Sequence, residues 1–181
     1  MKKLAITLIC VYVCTLLFGG YKCIQALTHP IKYEEVIITE CKKYNISPHL
    51  IASIINTESH YKPNAVSPKN ALGLMQIKYD TVLFLIDYYN LDEKISESSL
   101  FIPEINIYYG CLYFNYLLNK FKDINTTLAA YNAGETRVRT WLKNNNYSED
   151  GVKLNNIPYT ETKNYVKRVN NNLNFYKKIY K

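Results

Sequence analysis

The sequence predicts a mainly α domain. Apolar residues recur at helical spacing in several segments, prolines stand near expected helix starts at Pro48, Pro103 and Pro158, and no segment carries a strong strand alternation. A chain of 181 residues with 48% hydrophobic content is enough for one packed domain once an N-terminal segment is set aside.

Lys2 and Lys3 precede an uncharged run from Leu4 to Gly20. At ~1.5 Å per residue this run reaches roughly 26 Å, slightly short of a ~30 Å hydrocarbon core, and Tyr21 and Lys22 extend it as interfacial anchors. Residues 1–22 are therefore expected to form a retained signal anchor, a single transmembrane helix with its lysine end inward. Residues 23–32 follow as a linker and 33–181 as the folded domain outside the membrane. Ile24 before Ala26 and Phe18 before Gly20 make poor small-x-small sites, and no lipobox precedes Cys10, Cys14 or Cys23; a cleaved leader and a secreted domain are the alternative.

Helices are expected near 32–44, 48–59, 79–89, 104–121, 126–132, 135–143 and 159–178. The second is the best defined: Ser47 is a good N-cap, Pro48 a good first residue, and Leu50, Ile51, Ile54 and Ile55 lie on one face. Glu58 continues that face. Burial and the negative end of the helix dipole both raise the pKa of an acid placed there, which suits a general acid. The plainer alternative is a solvated Glu at a helix end. The segment 61–70 is read as one wall of a cleft, and the Asn-rich connection 144–157, with Gly151, as a mobile loop.

Four separated blocks carry a resemblance: Glu58-Ser59; Ser67-Pro68 with Gly73-Leu74-Met75-Gln76; Ala129-Ala130-Tyr131-Asn132-Ala133-Gly134; and Ile157-Pro158-Tyr159-Thr160-Glu161-Thr162 leading to Tyr165-Val166. In this order they resemble the catalytic domain of soluble lytic transglycosylases, from about Tyr33 to the C-terminus. The resemblance implies a lysozyme-like fold and non-hydrolytic cleavage of the β-1,4 bond between N-acetylmuramic acid and N-acetylglucosamine in peptidoglycan, leaving a 1,6-anhydromuramic acid end. It implies Glu58 as the single acid and base, with the substrate N-acetyl group assisting. Ser67, Gly73, Met75, Gln76, Tyr131, Asn132 and Glu161 then become substrate-binding or cleft-lining residues, with Tyr131 directed at the acid and Gly73 allowing backbone to approach sugar. Each also has a plain structural reading, as turn, core or helix-end residues. One departure is visible: many relatives place Met-Pro where this chain has Lys78-Tyr79, so Lys78 is either a solvated lysine or a partner for a substrate carboxylate.

The residues add support of their own. Ordinary glycosidases flank the bond with two carboxylates, yet no Asp or Glu lies between Glu58 and Asp80. An intramolecular attack by the sugar's own hydroxyl dispenses with the second. Asp87, Glu97, Asp123 and Glu161 remain candidates to approach in space, and a goose-type lysozyme-like hydrolase of the same bond, or a wall-binding module without activity, are the competing readings.

The net charge of +7 favours anionic surroundings such as wall polymers or a membrane surface. The basic residues are scattered and no phosphate-cradling glycine loop or zinc-finger spacing occurs, so no nucleic acid partner is expected. The five cysteines and three histidines show no C-x-x-C or H-E-x-x-H pattern, and neither metal nor cofactor is assigned; Cys41 and Cys111 either pair or stay buried and reduced. Nothing in the pattern addresses oligomeric state.

Overall fold

A computed structural model describes residues 11–20 and 31–179. Residues 11–20 are helical and belong to a unit separate from the domain that begins at Tyr33. Among the described residues no helix is long and apolar enough to cross a membrane. The rest of the expected anchor, and most of the expected linker, lie outside the described residues.

The domain contains α1 (Glu34–Tyr44), α2 (Pro48–Ser59), α3 (Tyr79–Tyr88), a 3-10 turn (Glu97–Phe101), α4 (Pro103–Phe121), α5 (Ile124–Ala133), α6 (Glu135–Leu142) and α7 (Thr160–Ile179). It is mainly α, as expected. The 3-10 turn is an addition that the apolar pattern does not show, because five residues are too few to establish a period.

α2 is the axis of the core. Leu50, Ile51, Ile54 and Ile55 are buried as their spacing requires, but Ala52, Ser53 and Asn56 are buried too, so the helix is enclosed nearly all round. α7 packs along it, α5 lies between α4 and α7, α1 covers α4, and α6 folds back on α5. Ser47 occupies the cap position without a side-chain capping bond; Pro48 starts the helix, and the Ser47 carbonyl accepts from Leu50 N at 2.9 Å. Asp123 does cap α5, its Oδ2 accepting from Thr126 N and Thr126 Oγ1, both at 2.8 Å.

Three helix ends are closed in the left-handed region by residues other than glycine. Asn45 (φ 53°), His60 (φ 49°) and Lys122 (φ 60°) each return a backbone N–H to the preceding turn of α1, α2 and α4. Gly134, at φ 93° and ψ 145°, ends α5 and opens α6 in a conformation that only glycine adopts readily.

The connection 144–157, expected as a loop, carries hydrogen bonds of its own. Ser148 is buried and donates to Lys153 O at 2.7 Å, Asp150 Oδ1 accepts from Val152 N and Lys153 N, and Leu154 N donates to Thr126 Oγ1 at 3.0 Å. Short polar side chains here supply the hydrogen bonds that a helix or strand would otherwise provide. Cys41 on α1 and Cys111 on α4 are buried, unoxidised thiols; a hydrogen bond with Cys41, together with burial, holds the Cys111 thiol well above its usual range.

Candidate active site

The site begins where α2 leaves the core. Its apolar face runs from Leu50 to Ile55, and the next turn on that face delivers Glu58 to the mouth of a cleft of about 830 Å³. Desolvation by the surrounding helices raises the Glu58 pKa to about 7; the neighbouring Tyr165 hydroxyl and the charge of Arg168, both on α7, pull it part of the way back. A carboxyl in this range holds a proton at neutral pH and can also release it.

Ser59 fixes the height of that carboxyl. Its Oγ donates to Leu74 O at 2.8 Å, tying the last turn of α2 to the turn that carries Gln76. That turn is small and cross-braced: Leu72 exchanges backbone hydrogen bonds with Ile77 at 3.0 and 3.1 Å, and Gly73 N donates to Ala65 O at 2.9 Å. Gln76 itself sits at φ 48°, and its Nε2 donates to Ala65 O and Gly73 O, so the amide oxygen is the group left to accept. Ser67 Oγ accepts from Ala71 N at 3.0 Å and Lys69 N at 3.3 Å, which leaves its proton to donate.

Tyr131 and Asn132 arrive from the end of α5. The Tyr131 hydroxyl donates to Met75 O at 2.8 Å. Its proton is thus directed at that carbonyl rather than at Glu58, although burial and the nearby Glu58 charge hold the phenol well above its usual range. Asn132 Oδ1 accepts from the buried Thr162 Oγ1 at 2.8 Å, which orients its amide nitrogen as the remaining donor. Glu161, at the start of α7, is largely exposed and lies 3.6 Å from Lys69 Nζ.

Glu58, Ser67, Gln76, Tyr131, Asn132 and Glu161 therefore line one cleft. Two expected members do not. Met75 is fully buried below the cleft, its sulfur filling the space over Gly110, where a Cβ would overlap it. Its backbone, not its side chain, serves the site. Gly73, at φ 72°, allows a close approach of the protein to itself: an added Cβ would overlap Asn106 Nδ2 and Leu100 O. Of the four acids held open as second carboxylates, Glu161 alone is among the residues lining the cleft.

Two tyrosines outside the expected site residues also stand at the site. Tyr165 is fully buried beside Glu58, and its hydroxyl has no hydrogen-bond partner of good geometry. It belongs to the last of the four sequence blocks, one turn beyond Glu161 on α7, but its place beside Glu58 comes from the packing of α7 on α2. Tyr113 lines the cleft and packs against the Tyr131 ring at 5.4 Å, but nothing in the sequence separates it from seventeen other tyrosines. Lys69, Lys78 and Arg137 complete a cationic rim. Among the described residues no group of three or more His, Cys, Asp or Glu is placed to hold a metal.

Comparison with known proteins gives the family and the fold. Residues 35–153 match the model of the transglycosylase SLT domain. The chain is 34% identical over 142 residues to the soluble lytic murein transglycosylase of Salmonella typhimurium, covering 77% of this chain and 22% of that protein. It is 28% identical to the transglycosylase of Enterobacteria phage PRD1 over 70% of this chain and 44% of that one. Among solved structures, the 70 kDa soluble lytic transglycosylase of Escherichia coli superposes with a TM-score of 0.75 at 29% identity, over 85% of this chain and 25% of that one. The same enzyme in complex with bulgecin A gives 0.76. The chain thus spans about a quarter of the length of the soluble relatives it matches. Its lysozyme-like helical domain, the order of its motifs and the matched residues together establish that the chain belongs to the transglycosylase SLT domain family.

Proposed function

We propose that this domain is a peptidoglycan lytic transglycosylase that cleaves the β-1,4 bond between N-acetylmuramic acid and N-acetylglucosamine without water, with Glu58 as sole acid and base. The observation that carries this is a proton-holding carboxyl, with a pKa near 7, facing a cleft whose other carboxylate is exposed and paired with Lys69. A conventional glycosidase needs a second carboxylate poised at the anomeric carbon or at a water. Here the substrate supplies both missing roles.

In the first half, protonated Glu58 gives its proton to the glycosidic oxygen as the C1–O4 bond breaks, and the muramoyl N-acetyl oxygen stabilises C1. In the second half, the Glu58 carboxylate takes the proton from the C6 hydroxyl while O6 attacks C1, closing the 1,6-anhydro ring. The proton count returns to its starting value and no water is consumed. Holding O6 and C1 in one sugar gives the attack its high effective concentration. Ser67, the Gln76 amide oxygen and the Asn132 amide nitrogen offer the donors and acceptors that would grip the N-acetyl sugars, and Tyr131 acts through the Met75 carbonyl to hold that wall in place.

Soluble relatives are named lytic murein transglycosylases, and one solved neighbour is an inactive glutamate-to-glutamine mutant of the Pseudomonas aeruginosa enzyme. The deciding experiment is mass analysis of fragments released from purified sacculi by residues 33–181. Ends one water lighter than hydrolysed muropeptides are expected; reducing muramic acid ends would make this a lysozyme-type hydrolase instead.

The N-terminal run is proposed to anchor the domain on the outer face of the cytoplasmic membrane, a reading that rests on Lys2, Lys3 and the apolar stretch to Gly20. Some relatives are named membrane-bound lytic murein transglycosylases. N-terminal sequencing of the membrane fraction tests this, and a mature chain starting at or after Tyr21 would replace the anchor by a cleaved leader.

A further inference from the structure

We propose that Lys78 is a specificity-determining residue that pairs with a carboxylate carried by the glycan strand in the cleft. The inference rests on the reading of this cleft as a peptidoglycan site and adds to it the charged group that is recognised.

Charge accounting within the cleft singles Lys78 out. Three cations line it, Lys69, Lys78 and Arg137. Lys69 faces Glu161 at 3.6 Å, and Arg137 donates to Ala133 O at 3.0 Å and lies 5.1 Å from the Tyr159 ring centroid. Among the described residues Lys78, whose side chain is exposed, makes neither an ion pair nor a side-chain hydrogen bond, and Glu58, the remaining cleft acid, is about half protonated at pH 7 and mostly protonated below it. The nearest acid in sequence, Asp80, stands two residues on in the first turn of α3, outside the cleft lining, and i,i+2 side chains on a helix do not face one another.

The base of the side chain is rigid. Ile77, just before it, is buried and locked to Leu72 by two backbone hydrogen bonds, and the Lys78 carbonyl accepts from Thr81 N at 3.0 Å and Val82 N at 3.2 Å. The lysine is thus mounted between Gln76 and Thr81 on the cleft wall, with an ammonium that no described residue pairs with. A strand of N-acetyl sugars is uncharged except at carboxylates. These come from two sources: the lactyl group of a muramic acid that has lost its stem peptide, or the stem peptide itself. Either would meet the unpaired ammonium as the sugar amides meet the polar groups beside it.

The test measures Kd for denuded strands, stem-bearing strands, and both after conversion of their carboxylates to methylamides, for wild type, Lys78→Met and Lys78→Arg. Met keeps an unbranched side chain of similar length without the charge. Lys78→Met is expected to weaken binding of one carboxylate-bearing strand by about five- to tenfold, the scale of an ion pair in a partly enclosed cleft, with Lys78→Arg retaining most of the affinity. Methylamidation should weaken wild type by a similar factor, and the two losses should not add. A loss confined to denuded strands identifies the lactyl carboxylate, and one confined to stem-bearing strands identifies the stem. An equal loss with and without carboxylates, or none on either, overturns the proposal. Because Kd needs no turnover, a wild type that binds strands but releases no fragments would sink the proposed activity while leaving the Lys78 comparison decisive.

Discussion

Asn106 Oδ1 accepts a 2.7 Å hydrogen bond from Met75 N, so a fully buried amide on α4 holds the backbone on which the floor of the cleft is built. The same side chain gives both Nδ2 protons to carbonyls, to Leu100 O at 2.7 Å and Leu72 O at 2.9 Å. These three hydrogen bonds therefore tie two segments to α4, the turn that holds Leu72 and Met75 and the 3-10 turn that holds Leu100.

Replacing Asn106 by Leu should destabilise the domain by roughly 3–5 kcal/mol, since it leaves buried polar backbone groups unsatisfied at about 1–3 kcal/mol each with partial relief by water or movement. Chemical denaturation with the linear extrapolation checks this. A loss below about 1 kcal/mol would mean the turn is held by its own backbone bonds.

Gly73→Ala combines a left-handed φ of 72° with overlap against Asn106 and Leu100 O, and the expected outcome is failure to accumulate as folded protein. Gly134→Ala is the comparison. Open space surrounds that position, so only the strain of its φ of 93° remains, on the order of 1–3 kcal/mol. Expression and melting of the two variants side by side would reveal equal damage if the Gly73 contacts did not matter.

Glu58→Gln should abolish turnover by at least ~10²–10⁴-fold, because an amide cannot donate the proton. It should also stabilise the domain at alkaline pH. The folded pKa of about 7 lies above the ordinary 4.5, so the protonated carboxyl contributes stability fully present below pH 4.5 and lost as pH rises through 7. At pH 8 the variant is expected to gain on the order of 2–3 kcal/mol, with little gain at pH 4. Thermal melts at both pH values decide the matter, and a gain that is the same at both would place the carboxyl outside the desolvated site.

The alkaline limb of the rate profile follows from the same group. kcat/KM requires protonated Glu58 in the free enzyme, so it should fall above about pH 7. Tyr165 lowers the Glu58 pKa, so Tyr165→Phe should shift that limb to higher pH. A shift to lower pH would contradict the direction assigned to Tyr165.

Tyr131→Phe removes the bond to Met75 O and leaves that carbonyl unsatisfied, at about 1–3 kcal/mol. Turnover should fall by about tenfold, well short of the Glu58 variant, through movement of the wall that carries Gln76. A loss equal to that of Glu58→Gln in a folded variant would make Tyr131 a participant in the proton transfers.

The sequence by itself determined the helices and the polarity of their faces, since apolar periodicity, Pro48 and Pro103 act within a few residues. It also determined that an acid follows the apolar stripe of α2, and the ordered blocks around Glu58, Gln76, Tyr131 and Glu161 pointed to one family. Only the tertiary structure decided what those residues touch. Gly73 and Met75 look alike as motif members, yet the first meets Asn106 and Leu100 and the second packs on Gly110, positions 27 or more residues away in the chain. Tyr113 was hidden because a tyrosine's burial and partners depend on which helices meet around it, Tyr165 was visible as a motif member but not as a neighbour of Glu58, and the hydrogen bonds of the connection 144–157 leave no period in the sequence. Local pattern reports the face a residue occupies on its own helix, and with it the upward direction of the Glu58 pKa; how far that pKa rises, and that no described residue pairs with Lys78, depend on what other elements bring to that face, which is a property of packing.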